Sequence, residues 1–195
     1  FCVPVIYNFR QADIDVGGNG APLMPFLDWL LFKGSRENTI TLNLGGVANI
    51  SYIPASGNRE EVVGFDTGPG MALMDETCRQ VWGIDMDKGG LKTAQGDINT
   101  NLLNQLMKNE YISNDPPKST GRDEFGKELV MKVGKRFSDL SAEDLIRTFS
   151  FFTAKSIAIN INKFLNINPK ECRMIISGGG VNHKVVMSDI SFCTK

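Results

Sequence analysis

The sequence predicts an α/β fold, and three observations carry that reading. Two alternating apolar runs, residues 39–44 and 47–53, flank Gly45-Gly46 in the pattern of a β-hairpin, and residues 61–66 add a third strand. A long helix follows later, with Leu145, Ile146, Phe149, Phe152, Thr153, Ile157, Ile161 and Phe164 tracing one face. After it comes a short buried strand, residues 174–177, which pairs parallel with the earlier sheet because a helix precedes it. The result is a mixed sheet in the order β-β-β-α-β-α, with ligands expected at the carboxyl ends of its parallel strands.

The remaining elements follow in chain order. Residues 3–9 form a short apolar run rich in β-formers, hence a strand. Gly17-Gly18-Asn19-Gly20 is a loop. Residues 22–32 read as a buried helix, with Pro22 and Pro25 tolerable only in its first turn. The polar break at residues 34–38 is the expected domain boundary: residues 1–35 end one domain and 36–195 form most of a second. Residues 54–58 are a turn and 69–82 a helix. Glycines 89, 90 and 96 mark loops, 98–108 and 124–137 are helices, and 115–122 is a polar loop. Ser141 with Asp144 is a helix N-cap with an acid at the third position, and it opens the long helix. Pro169 closes that helix, and a final helix starts near Val181.

Bulk composition narrows the function. With 42% hydrophobic and 22% charged residues the chain can bury a real core, and with a net charge of −1 nothing marks the whole protein as a nucleic-acid or membrane-surface binder. No apolar run approaches the ~20 residues that span a bilayer. Cys2, Cys78, Cys172 and Cys193 are far apart and form no C-x-x-C pair, so neither zinc nor a disulfide framework is expected and a reduced, cytoplasmic setting is. The first residues read as a strand cut open, not as a signal peptide, and the last stop without a closing signal. The chain is therefore expected to be an internal fragment, incomplete at both ends.

Five constellations carry chemistry. Gly64-Phe65-Asp66-Thr67-Gly68-Pro69-Gly70 puts a carboxylate at the end of an apolar strand, before a glycine-rich turn and a helix whose first N–H groups suit phosphate. Asp66 there is a general base, a ligand of hydrated Mg²⁺, or simply a cap of the following helix. Gly45-Gly46 is a phosphate cradle or an ordinary hairpin turn. Gly178-Gly179-Gly180 lets a base or sugar lie on the backbone, or lets strand and helix pack closely. Arg10, Asp13 and Asp15 before Gly17-Gly18 suit recognition of a sugar acid, or form a surface salt bridge. Lys118, Ser119, Thr120 and Arg122 make a basic, hydroxyl-rich loop. The lone His183 lacks the partners of a nucleophilic triad, and no catalytic role is expected for it.

Five stretches together resemble a known family. They are Asn8-Phe9-Arg10-Gln11-Ala12-Asp13 with Gly17-Gly18-Asn19-Gly20-Ala21-Pro22-Leu23; Leu42-Asn43-Leu44-Gly45-Gly46-Val47-Ala48-Asn49-Ile50; the Gly64–Gly70 stretch; Pro116-Pro117-Lys118-Ser119-Thr120-Gly121-Arg122; and Ser177-Gly178-Gly179-Gly180-Val181. In this order they resemble the anhydro-N-acetylmuramic acid kinases, members of the actin/hexokinase-like (ribonuclease H-like) sugar kinase superfamily. Asp123 stands where that family usually carries Glu, and its G-T-S-x-D-G phosphate loop and C-terminal acidic segment are absent.

The resemblance implies an ATP-dependent kinase of peptidoglycan recycling. Such an enzyme opens the 1,6-anhydro ring of its sugar with water and phosphorylates the freed 6-oxygen, with ATP and Mg²⁺ as cofactors. By analogy Asp66 is the catalytic carboxylate. Arg10, Asp13, Gly17, Gly18, Thr67, Gly68 and Ser119 are implied to bind the sugar, and Asn43, Gly45, Gly46, Asn49, Gly178, Gly179 and Gly180 the nucleotide. No residue is assigned as a metal ligand. Expected partners are ATP and the anhydro amino sugar, with no nucleic acid and no membrane; a homodimer is allowed for. The 195 residues alone are expected to show no turnover. Another sugar or acyl kinase of the superfamily, or a non-catalytic sugar- or nucleotide-binding regulator, stays open beside this reading.

Overall fold

Alternation along residues 38–53 builds the centre of the molecule. A computed structural model describes residues 2–5, 7–18, 20–165, 167 and 172–194. In it β1 (Asn38–Leu44) and β2 (Val47–Ile53) pair antiparallel across the Gly45-Gly46 turn. β3 (Val63–Pro69) pairs antiparallel with β2, and β4 (Cys172–Ser177) pairs parallel with β1. The sheet thus has the order β3-β2-β1-β4, with β3 and β4 at its edges.

One face of the sheet is apolar, because alternate residues share a face. Ile40, Leu42, Leu44, Ala48, Ile50 and Phe65 are buried there against helices that follow β3. These are α3 (Ala72–Trp82), α4 (Thr100–Leu106), α6 (Lys127–Arg136), α7 (Ala142–Phe164) and α8 (Lys184–Cys193), with the short α5 (Glu110–Ser113) between α4 and α6. The Ser141 hydroxyl accepts from the Asp144 N–H at 3.0 Å, so α7 starts at the cap its sequence announces. Leu145, Ile146, Phe149, Phe152, Thr153, Ile157 and Ile161 are buried along it. Its expected stop at Pro169 lies outside the described residues.

The opposite face is polar and only partly covered. α2 (Met24–Phe32), which follows the short α1 (Gln11–Asp15), lies over it. Asp28 accepts from the Thr41 and Ser51 hydroxyls, each at 2.7 Å, and a side chain at Gly64 would collide with Pro25. Thr41, Ser51 and Gly64 form one row across β1, β2 and β3, so α2 covers that row.

Several expectations are corrected here. The described residues of 3–9 form no strand: they are irregular, Val3, Val5, Tyr7 and Phe9 stand exposed, and no described residue pairs with them. A strand needs a hydrogen-bonded neighbour to persist. The helix expected over 22–32 is not buried either. Asp28 is its one buried residue, and Phe26, Leu27, Leu30 and Leu31 are exposed, because the helix docks through a carboxylate and turns its apolar face outward. β3 also runs on past Asp66 to Pro69, and α3 begins only at Ala72. Asp66 is therefore inside a strand and is not a helix cap.

Candidate active site

The uncovered part of the polar face begins one row beyond α2. Asp66 on β3 stands opposite Asn49 on β2, Asn49 opposite Asn43 on β1, and Asn43 opposite Ser177 on β4. In-register neighbours point to the same face, so a polar row crosses all four strands. The side-chain amides of Asn43 and Asn49 make no hydrogen bond among the described residues, and both residues are half-buried.

Asp66 anchors one end of this row and is only 6% exposed. Its Oδ2 accepts from the Ser119 hydroxyl at 3.0 Å and from the Thr120 N–H at 2.9 Å. Oδ1 has no protein partner among the described residues and is not sealed from solvent. Burial raises the pKa of this carboxyl above its ordinary value, while the Thr120 N–H, the Ser119 hydroxyl and the Arg10 guanidinium oppose that rise. One oxygen is thus fixed, the other is free, and the group is more basic than a surface aspartate. That arrangement can orient a water and take its proton.

Next to the row, a cleft of about 510 Å³ is bounded by the hairpin tip (Leu44, Gly45, Gly46), the start of α3 (Met71, Asp75), Met86 to Gly89, and the turn Gly179, Gly180, Asn182 and His183. That size suits a small-molecule site. The amides of Gly45 and Gly46 donate to no backbone carbonyl among the described residues. The Arg122 guanidinium lies against Gly46: a side-chain carbon there would stand 3.5 Å from its Nε. Free amides, a guanidinium and the cleft's Lys88 together suit a polyanion.

The buried groups at the back of the cleft are already committed. Asp87 accepts from the Lys92 N–H, the Thr93 N–H and the Thr93 hydroxyl at 2.7–2.9 Å. His183 accepts the Val186 N–H on Nδ1 at 3.2 Å, capping α8, and its Nε2 faces Asp87 at 3.4 Å. Burial lowers the His183 pKa despite Asp87, and both ring nitrogens face protein groups. Asp75 is the cleft carboxylate left free of hydrogen-bond donors among the described residues; burial raises its pKa, with Arg79 and Arg122 opposing.

With this geometry in view, comparison with known proteins identifies the family. The family model for anhydro-N-acetylmuramic acid kinase matches residues 2–194. The chain belongs to the anhydro-N-acetylmuramic acid kinase family. Proteins of that name from Clostridioides difficile (strain 630), Bacillus cereus (strain AH187) and Francisella tularensis subsp. novicida (strain U112) are 38%, 34% and 36% identical to it over 186, 191 and 187 residues. These alignments cover 95%, 98% and 96% of this chain but 49%, 50% and 49% of the relatives. The chain therefore spans about half the length of the curated relatives it matches.

Within this family member, several residues singled out in the sequence meet. Ser119 touches Asp66, Arg10 acts on it electrostatically, Asn43 and Asn49 share its row, and Gly45, Gly46, Gly179 and Gly180 line one cleft. Others are seen in contacts within the fold. Thr67 is fully buried, with its hydroxyl on the Ala48 carbonyl at 3.1 Å. Gly68, at φ 135°, lies against α7, where a side-chain carbon would meet Ser156 Oγ at 2.6 Å. Gly178 packs on Asn43 and Leu44. Asp13 accepts the Gly20 N–H at 2.7 Å and lies against Gly18, whereas Gly17 has open space beside it.

Three amides at the α3 start are already engaged: those of Gly70, Met71 and Ala72 donate to the Gly45 and Gly46 carbonyls at 2.8–3.1 Å. Asp75, Arg122 and the segment from Met86 to Gly89 were not singled out as ligand-facing. Arg122 carried a signal in its Gly-Arg pair, but the segment from Met86 to Gly89 reaches the cleft only through tertiary packing. Among the described residues no helix is long and apolar enough to cross a membrane.

Proposed function

We propose that the full-length protein is an ATP-dependent kinase. It opens the 1,6-anhydro ring of anhydro-N-acetylmuramic acid with water and phosphorylates the 6-oxygen, giving N-acetylmuramate 6-phosphate for cell-wall recycling. The observation that carries this reading is Asp66, a buried carboxylate with one oxygen fixed by Ser119 and Thr120 and the other facing outward.

In this reading Oδ1 of Asp66 takes a proton from water as that water attacks the anomeric carbon. The bond from that carbon to the 6-oxygen breaks, and the freed oxygen displaces ADP from the γ-phosphorus of ATP. Phosphoryl transfer then needs mainly positioning and charge neutralisation. The amides of Gly45 and Gly46, with Arg122 and Lys88, face the phosphates, while Gly179 and Gly180 flank the nucleoside. Arg10 faces the sugar beside Asp66. Mg²⁺ takes few carboxylates and keeps waters, and Asp75 is the cleft residue suited to hold it; when bound it neutralises phosphate charge.

The same reading assigns the actin/hexokinase-like architecture, with residues 36–195 as most of the second domain and 1–35 as the end of the first. Its support is the distribution of exposed large hydrophobics, most of which lie within residues 3–31. Such side chains suit an interface with the remainder of another domain.

The test supplies the full-length protein with ATP and anhydro-N-acetylmuramic acid. The expected product has gained one water and one phosphoryl group, with one ADP per sugar, and N-acetylglucosamine is left unchanged. A preference for N-acetylglucosamine, or a product that keeps its anhydro ring, would overturn the proposal.

A further inference from the structure

The strand that carries Asp66 is irregular at that residue. Pairing with β2 jumps from Asn49↔Asp66 to Ala48↔Gly68, leaving Thr67 without a partner. This is a β-bulge, a feature that re-aims side chains and interrupts the hydrogen-bond ladder. β3 is also an edge strand, so its outer groups have no neighbouring strand to pair with.

Buried side chains and one loop take over those groups. The Thr67 carbonyl accepts from Ser156 Oγ at 2.6 Å and Asn160 Nδ2 at 3.1 Å. The Asp66 carbonyl accepts from the Tyr111 hydroxyl at 2.8 Å, and the Asp66 N–H donates to the Lys118 carbonyl at 3.2 Å. The Lys118 ammonium donates back to the carbonyls of Tyr111 and Ile112 at 3.0 and 3.3 Å. It lies over the Tyr111 and Phe164 rings, 4.9 Å from each centroid. Tyr111 and Lys118 are each 7% exposed. A buried lysine without a carboxylate partner is costly, and the hydrogen bonds it makes here close a ring around the backbone of Asp66.

We propose that Tyr111 and Lys118 are positioning residues for the base. They clamp the N–H and C=O of Asp66 so that Oδ2 stays on Ser119 and Thr120 while Oδ1 keeps its aim at the reacting water. The inference rests on the reading of Asp66 as that base. Neither residue lines the cleft, and both bond to the backbone of Asp66, so each is assigned a role through Asp66.

The test uses the full-length protein and measures kcat and the KM for ATP. Tyr111→Phe removes one hydroxyl and Lys118→Met removes the ammonium, while Lys118→Arg keeps donors. Misplacing a catalytic group by about 1 Å costs on the order of 100-fold. Tyr111→Phe and Lys118→Met are expected to lower kcat about 10- to 100-fold with the KM for ATP within about twofold, and Lys118→Arg to recover part of the loss.

A double-mutant cycle separates positioning from general damage. In an Asp66→Asn background, Tyr111→Phe is expected to leave the residual rate unchanged. The same fractional loss in both backgrounds would overturn the proposal. So would wild-type kcat in both Tyr111→Phe and Lys118→Met while Asp66→Asn is inactive. Should Lys118→Met fail to fold, Tyr111→Phe and its cycle still decide. Failure of the functional reading itself is distinct: Asp66→Asn would then keep its activity.

Discussion

Replacing Asp66 by Asn removes the proposed base and leaves its scaffold in place. The amide oxygen can still accept from the Ser119 hydroxyl and the Thr120 N–H, which hold Oδ2 at 3.0 and 2.9 Å. The amide nitrogen then occupies the position of Oδ1, where it cannot take a proton. General-base catalysis contributes about 10²- to 10⁴-fold, or about 2.7 to 5.4 kcal/mol of barrier. The loss should fall on kcat, with the KM for ATP little changed, because the cleft proposed to take the nucleotide is lined by other residues. Stability should not fall. Burial disfavours the ionised carboxyl in the folded chain, and the neutral amide avoids that cost. The assay is ADP release at saturating sugar, with a thermal melt on the same samples. A folded Asp66→Asn enzyme that keeps more than about a tenth of its rate would refute the assignment of Asp66 as base.

Two further predictions concern pH and anchoring. Asp66 must be ionised to act, and its pKa is raised, so the acid limb of kcat/KM should lie above the ordinary carboxylate value of about 3.9. Ser119→Ala removes a bond that favours the ionised form and should move that limb to higher pH; an unchanged or lower limb would contradict the geometry. The folded pKa exceeds the unfolded one, so the folded chain holds more protons between the two. This group's contribution to stability therefore falls as pH rises through that window. Asp28→Ala strips the acceptor from Thr41 and Ser51 and should cost about 2 kcal/mol, or about 4–8 °C in Tm, with Asp28→Asn milder. A melt shifted by less than about 1 °C would show that α2 is not held by this carboxylate.

What was legible in the sequence was local. The Gly45-Gly46 hairpin, the Ser141 cap and the parallel return of β4 each follow from adjacent residues, and each is found. The grouping of Gly45 with Gly180 was readable because glycine turns punctuate neighbouring strand ends, whereas Ser119 joined Asp66 only through the family resemblance. The bulge at Thr67 was not readable, because it depends on register with β2 and on Ser156 and Asn160 some ninety residues away. The same holds for Tyr111, which sits on a four-residue helix too short to show a period. The apolar pattern of residues 22–32 predicted burial, yet Asp28 decided which side of α2 meets the sheet.

That docking has an electrical consequence. α2 covers the row of Thr41, Ser51 and Gly64, and the row of Asn43, Asn49 and Asp66 lies two residues along each strand, a step of about 7 Å. Across that single step the sheet passes from a low-dielectric wall to a wet surface. Asp66 stands on the boundary: burial raises its pKa, while Oδ1 keeps no protein partner among the described residues. A substitution that lifts α2 from the neighbouring row is expected to let more water reach Asp66 and lower its pKa, which the acid limb of kcat/KM would report.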